Sequence, residues 1–392
     1  MINTPFSSWP DFRKEEVDSV AKVLLSNKVN YWTGNEGREF EKEFARYCNT
    51  TYAVAVANGT VALDISLKAL GIGHGDEVVV TPRTFIASVS AIVNAGATPI
   101  FAEVDRETQN ITACSIASVL TNKSRAIICV HFAGMSCDMD PIMALATKHH
   151  LCVIEDCAQA HGAKYKGRSV GSIGHIGAWS FCQDKIISTG GEGGIITTNS
   201  LKFWEYMWSY KDHGKSYQAV YHREHPAGFR WLHESFGTNW RMTEMQSAIG
   251  RIQLEKLPEW TRLRQYNAAA IRSVCEDIAA LRVSERPADI EHACYKYYVF
   301  VRPECLKTGW SREAIIEEVV NRGVPCYSGS CAEVYLEKAF DNTGLRPAVR
   351  LPVARELGET SLMFLVHPTL TEAEIKKTCD VLTAVMHEAS QR

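Results

Sequence analysis

Between residues 52 and 156, short runs of β-branched and other apolar residues alternate with stretches of helical period. Residues 52–56, 78–80, 98–104, 126–131 and 152–154 read as strands. Helices are expected after Asn58-Gly59-Thr60, ending near Gly71, and over 84–94, 111–120 (with its preceding turn) and 141–149. Strands of continuous Val/Ile character lack the polar alternation of a half-exposed sheet, so both their faces are buried. With helices between them, the expected class is α/β with a mostly parallel central sheet. Ligands of such sheets gather beyond the carboxyl ends of the strands. Gly59, Thr60, Thr84, Phe85, His131 and Asp156 fall at those ends.

Residues 178–199, AWSFCQDKIISTGGEGGIITTN, carry two apolar runs around a glycine-punctuated loop that holds Lys185. The pattern predicts two strands joined by a tight exposed loop. A lysine against a buried strand end loses hydration, so its amine is easier to deprotonate and can act as a nucleophile toward an aldehyde. A loop lysine in solvent is the plain alternative. Asn58-Gly59-Thr60 opens a helix whose N–H groups suit a phosphate, and it also reads as an ordinary turn and N-cap. Asp156, in EDCAQAHG at 155–162, follows an apolar strand, where an unpaired carboxylate costs several kcal/mol. It calls for a cation, either a structural arginine or a protonated ring nitrogen.

The 392 residues are 46% apolar, enough for a large domain and a smaller one. A net charge of −3 speaks against nucleic-acid or membrane-surface partners. No apolar run approaches about 18 residues, and the first residues lack the basic-then-apolar order of a signal peptide. The thirteen cysteines include no C-x-x-C pair, which suggests free thiols in a reducing cytoplasm. His222, His225 and His233 fit no ligand spacing, so no metal is expected. The long stretch 214–238 reads as a functional loop or an arm to another subunit.

Helices are also expected over 14–26, 38–47, 201–210 and 243–264, the last kinked or divided at Pro258. That proline marks the expected boundary between a large domain, 1–258, and a small α/β domain, 259–392. In the small domain, 297–301 and 324–327 read as strands. Helices should span 311–322, capped by Ser311, and 371–389, opened by a Thr371/Glu374 capping box.

Phosphate cradle, buried acid, ring-stacking aromatic and lysine occur here in the order Gly59-Thr60, Phe85, Asp156, Ser180, Lys185. With NGTVAL at 58–63, TPRTFIAS at 81–88, EDCAQAHGA at 155–163, SFCQDKIISTGGEGG at 180–194, DHG at 212–214 and GTNWRMTEMQSAIG at 237–250, the chain resembles the DegT/DnrJ/EryC1/StrS sugar aminotransferases over nearly its whole length. The resemblance implies fold type I of the pyridoxal phosphate (PLP) enzymes, the aspartate aminotransferase-like fold. It implies that Lys185 joins the cofactor as an internal aldimine and later shuttles protons. Asp156 would pair with the pyridinium nitrogen, Gln159 with the ring hydroxyl, and Phe85 would stack on the ring. Gly59, Thr60 and Ser180 would hold the phosphate, joined by Asn239 of a second subunit in a homodimer. Relatives with histidine at the lysine position are dehydratases, so Lys185 favours transamination.

The resemblance further implies a ping-pong reaction. Glutamate leaves pyridoxamine phosphate, which then aminates a nucleotide-linked keto-sugar, expected to be a dTDP- or UDP-linked 4-keto-6-deoxyhexose. The loop Thr189-Gly190-Gly191-Glu192-Gly193-Gly194 is similar to the T-G-E-G-G form common in C-4 enzymes, with one glycine more. The product would serve O-antigen or other surface polysaccharide. Tyr31, Trp32, His131, Lys215 and Arg241 are the candidate substrate contacts; the last two could meet a pyrophosphate. SGSCAEVYLEKAF at 328–340 departs from the P-x-H pattern frequent there. A 3-keto sugar or an inosose as substrate, and a PLP-binding regulator without turnover, are the alternatives.

Overall fold

The computed structural model describes residues 5–285 and 287–391. Helices α1 (Lys14–Leu25) and α2 (Glu36–Cys48) lead into strand β1 (Tyr52–Val56). On α2, Phe40 and Phe44 stand four residues apart and so share one face. Both are fully buried, Phe40 against Phe181 (5.5 Å between centroids) and Phe44 against Trp179 (5.1 Å). The succession α3 (Gly59–Ala69), β2 (Glu77–Val80), α4 (Ala87–Asn94), β3 (Thr98–Phe101), α5 (Ala113–Ala117), β4 (Ser124–Val130), α6 (Met139–His149) and β5 (Cys152–Asp156) follows the expected alternation. Helix α4 starts three residues later than its pattern suggests. The Thr81 hydroxyl accepts the Arg83 N–H (3.1 Å), and such side-chain bonds offer the backbone an alternative to helix.

A small hairpin, β6 (Lys164–Tyr165) and β7 (Arg168–Ser169), precedes β8 (Ile176–Ser180) and β9 (Gly194–Thr198). The central sheet has the order β1-β9-β8-β5-β4-β2-β3. Only β9 runs against the other strands. The carboxyl ends of β1, β2, β4, β5 and β8 therefore lie on one side, where the loop to β9 carries Lys185.

Helices α7 (Leu201–Tyr210) and α8 (Tyr217–Tyr221) follow, the second within the stretch read as a loop. Helix α9 (Glu244–Glu276) then runs for 33 residues with Pro258 inside it, so of the two expected outcomes, kink or division, the helix is not divided. The proline removes one backbone donor, and packing on both sides of it compensates. Leu254 and Leu257 sit in a core with Trp179 and Phe181, while Ala268, Ile271 and Cys275 sit in a second core with Val299 and Leu362.

The remaining elements are β10 (Leu281–Arg282), β11 (Ile290–Glu291), β12 (Tyr297–Val301), α10 (Arg312–Asn321), β13 (Cys326–Tyr327), α11 (Pro352–Thr360), β14 (Ser361–Phe364) and α12 (Glu372–Ala389). An antiparallel sheet β10-β12-β14-β13 organises them. Ser311 caps α10 by accepting the Ala314 N–H at 3.2 Å, and Thr371 with Glu374 forms the capping box of α12. All thirteen cysteines are free thiols. Among the described residues no helix is long and apolar enough to cross a membrane.

Candidate active site

A cavity of about 610 Å³ opens at the carboxyl ends of the central strands. Its floor begins at α3. Asn58 Oδ1 accepts the Val61 N–H at 3.0 Å, closing the first turn, with Gly59 and Thr60 at the cavity wall. A Cβ on Gly59 would stand 2.5 Å from that of Ser180, so only glycine lets the helix start and the β8 end meet. The pair forms a cradle of helix N-terminus and hydroxyl suited to a phosphate.

Asp156 ends β5 and is 6% exposed. One carboxylate oxygen accepts from the Ser88 hydroxyl (2.8 Å), the other from the Ala158 N–H (3.1 Å). Burial pushes its pKa up; the Ser88 and Ala158 bonds and the charge of Lys185 oppose this only in part. Among the described residues Asp156 has no ion-pair partner, so a cation in the cavity would complete its environment. Gln159 uses Oε1 to accept the Ala133 N–H (2.8 Å), which leaves its amide nitrogen as a donor. Phe85 stands at the cavity edge, 68% exposed.

Lys185 lines the same cavity. Its side chain is 16% exposed, and Nζ is 3.5 Å from Asp184 Oδ1. The Tyr295 ring centroid is 5.3 Å from Nζ, and the Tyr295 hydroxyl donates to Asp184. The Trp9 indole donates to the Lys185 main-chain carbonyl at 2.7 Å. His161, fully buried beside Trp179 and Phe181, has its pKa pushed down to about 3 by burial and by the charges of Lys185 and Arg264.

Lys185, Asp156, Gly59, Thr60, Gln159, Ser180 and Phe85 thus share one cavity. The other expected residues do not line it. His131 is fully buried, with Nε2 on Glu155 (2.9 Å) and Nδ1 accepting the Cys137 N–H (3.1 Å). Both ring nitrogens are spent, so the substrate role expected of His131 is corrected to support of β4 and β5. Those two residues and Cys157 have ligand atoms within 4.8 Å of one another. Glu155 also accepts the N–H groups of Gly171, Ile173 and Gly174, which explains the cluster without an ion.

Tyr31, Trp32, Lys215 and Arg241 form a separate cluster. The Tyr31 hydroxyl donates to Glu41 (3.0 Å), and Lys211 Nζ sits 3.7 Å from the ring centroid. Lys215 Nζ lies 4.0 Å from the Trp32 ring centroid, and Asp212 Oδ1 takes both Lys215 (3.2 Å) and Arg241 (2.6 Å). These groups pair in part, leaving Trp32 Nε1, Asp212 Oδ2 and Arg241 Nε buried without a hydrogen-bond partner among the described residues, and they do not line the cavity of their own chain. Asn239 is exposed and bridges to Asp212. Sequence reasoning missed Ser88, Asp184, Tyr295 and Trp9. Ser88 lies one helical turn beyond Thr84 and was open to inference; the others come together only through the tertiary fold.

An α/β fold with a buried acid and a lysine lining one cavity defines an enzyme of amine and carbonyl chemistry. The chain belongs to the DegT/DnrJ/EryC1/StrS aminotransferase family, whose profile matches residues 10–383. It is 34% identical to the GDP-perosamine synthase of Escherichia coli O157:H7 over 95% of both chains. It is 33% identical to the UDP-N-acetyl-3-dehydro-alpha-D-glucosamine 3-aminotransferase of Acidithiobacillus ferrooxidans, over 96% of this chain and 95% of that one. The solved aminotransferase of Psychrobacter cryohalolentis superposes with a TM-score of 0.97 at 63% identity, covering 98% of this chain and 99% of that one. The fold is that of the PLP-dependent aminotransferases, and the enzyme is a PLP-dependent transaminase of the nucleotide-sugar family. The cavity fits the cofactor: the Gly59–Ser180 cradle matches its phosphate, and the unpaired Asp156 its ring nitrogen.

Proposed function

We propose that this enzyme moves the amino group of glutamate to a nucleotide-linked 4-keto-6-deoxyhexose, giving a 4-amino sugar for surface polysaccharide such as O-antigen. The observation that carries the reading is the gathering of Lys185, Asp156 and the phosphate cradle of Gly59, Thr60 and Ser180 around one cavity. When bound, PLP supplies an aldehyde and an electron-withdrawing ring. Asp156 keeps the ring nitrogen protonated, and Gln159 donates to the ring hydroxyl. Gly59, Thr60 and Ser180 would hold the phosphate, and Phe85 would stack on the ring. Lys185 is the nucleophile and then moves protons at Nζ.

The exposed Phe229, Trp231 and Phe236 lie on the same segment as Asn239. This supports a homodimer in which that segment reaches the partner's cavity, carrying Asn239 to the phosphate and Lys215 and Arg241 toward the pyrophosphate. Free thiols and a glutamate donor suit the cytoplasm. The glycine-rich loop after Lys185 supports the 4-keto position. A 3-keto substrate is the second reading, favoured by the 3-aminotransferase relative.

The test is a panel of GDP-, dTDP- and UDP-linked 4-keto and 3-keto sugars with glutamate, read as 2-oxoglutarate and amino-sugar formation. Turnover of 4-keto sugars supports the proposal; turnover of 3-keto sugars alone replaces it. Glutamate conversion without any sugar acceptor would point to a different keto substrate, such as an inosose. Cofactor binding without any turnover would favour a regulator.

A further inference from the structure

The residue before Lys185 is a carboxylate turned back onto the lysine. Asp184 Oδ1 lies 3.5 Å from Lys185 Nζ, and its second oxygen accepts the Tyr295 hydroxyl. Asp184 and Lys185 sit in a turn closed by the Lys185 N–H on the Cys182 carbonyl (3.0 Å), and the Tyr295 hydroxyl holds the carboxylate there. Tyr295 is itself fixed from two sides: its N–H donates to the Ala133 carbonyl (3.0 Å), and its carbonyl accepts from Arg264 on α9 (3.3 Å).

We propose that Asp184, oriented by the Tyr295 hydroxyl, is the resident counter-charge of the Lys185 amine. It seats the ammonium whenever the lysine is not joined to the cofactor, and it restrains the reactivity of the amine. The proposal rests on the reading of Lys185 given above and adds a group to it.

The other titratable and charged groups around Lys185 do not take this place. Asp156 faces it from β5, Cys182 and Glu192 from its own loop, His161 from the core side, and Lys296 and Arg264 from behind Tyr295. Among the described residues, Asp184 alone pairs with Nζ within 4.0 Å. Asp156 makes no ion pair with Nζ, its oxygens taking the Ser88 hydroxyl and the Ala158 N–H. Lys296 and Arg264 are cations and offer Nζ no counter-charge; burial and Arg264 push Lys296 itself down to about 8. Burial raises the Asp184 pKa, but Lys185, the Tyr295 bond and Lys296 bring it below its ordinary value, so the carboxylate is charged at neutral pH. Its side chain is 57% exposed, so solvent screens the pair and the effect is modest.

The test is competitive acetylation of the full-length, cofactor-free chain across pH, read by mass spectrometry at Lys185. In Asp184→Asn the Lys185 amine should be acetylated about two- to threefold faster near neutral pH, the size expected of a screened pair. Asp184→Glu should restore the parent titration. Tyr295→Phe, which leaves the carboxylate unoriented, should move it the same way by less. A parent-like titration in both Asp184→Asn and Tyr295→Phe overturns the proposal. Borohydride fixation of PLP on Lys185 of the parent chain tests the functional reading separately, because the acetylation profile needs no cofactor.

Discussion

Trp9 and Lys185, 176 positions apart, are joined by a 2.7 Å hydrogen bond from the indole N–H to the lysine's main-chain carbonyl. The Trp9 ring lies 4.8 Å from the Arg264 guanidinium, 5.0 Å from Trp260 and 6.0 Å from His367. The N-terminal segment thus ties α9 and the β14–α12 connection to the loop that presents the lysine. Trp9→Phe keeps an aromatic ring and removes the donor. It should cost about 1 kcal/mol in urea unfolding and slow the loading of PLP several-fold. Loading at the parent rate would show that the bond does not position the loop.

Asp156→Asn should lower kcat at least about a hundredfold, since an amide cannot hold a proton on the ring nitrogen. Ser88→Ala, which removes one donor to Asp156, should have a smaller effect of the same sign. Steady-state kinetics with glutamate and the accepted sugar checks both.

The same substitution has a pH signature in the cofactor-free protein. The folded Asp156 pKa is raised, mainly by burial, so between its ordinary value and the raised one the folded state binds more protons than the unfolded state. Stability therefore falls as pH rises through that window. Asp156→Asn should be the more stable form at pH 7, with the difference vanishing below about pH 4. Urea midpoints at the two pH values decide this.

His161 runs the opposite way. Its folded pKa of about 3 lies below that of the free side chain, so its contribution is present above about pH 6.5 and is lost as pH falls toward 3. His161→Phe should flatten the acid limb of the stability profile. Thermal unfolding from pH 7 to pH 4 measures it.

Gly59→Ala would place a methyl group against Ser180 at 2.5 Å. The clash should cost about 1–3 kcal/mol of stability and weaken cofactor retention at least tenfold. Equilibrium dialysis against PLP reads the second effect.

If Asn239 serves the partner's site, two defective chains should complement each other. Lys185→Ala and Asn239→Asp chains, each inactive alone, should regain about a quarter of parental activity after mixed refolding, because half the dimers then carry one intact site. No recovery would mean that Asn239 acts within its own chain or not at all.

The local chemistry of the site was legible where residues close in sequence act together. The β1–Asn58–α3 turn, Asp156 at the end of β5 and the Lys185 loop between β8 and β9 each combine a strand end with a turn, and both are written in periodicity and glycine placement. His131 was misread because a histidine ending a strand looks alike whether it faces a ligand or a buried glutamate. Glu155, fully buried and 2.9 Å from the ring, decides between them. Pro258 suggested a break that packing on both flanks overrides. Asp184, Tyr295 and Trp9 meet only because distant segments converge, and no spacing rule reports that.

Helix α9 has 33 residues and is about 50 Å long at the usual rise. Its first half packs with the rings beside Lys185 and its second half with the C-terminal sheet. Recombination between relatives therefore has a preferred seam. A crossover at Pro258 would join half-helices whose buried faces were matched to different neighbours. A crossover beyond Glu276 would transfer the whole rod with the lysine loop it supports, and chimaeras made there should be the ones that keep a working cavity.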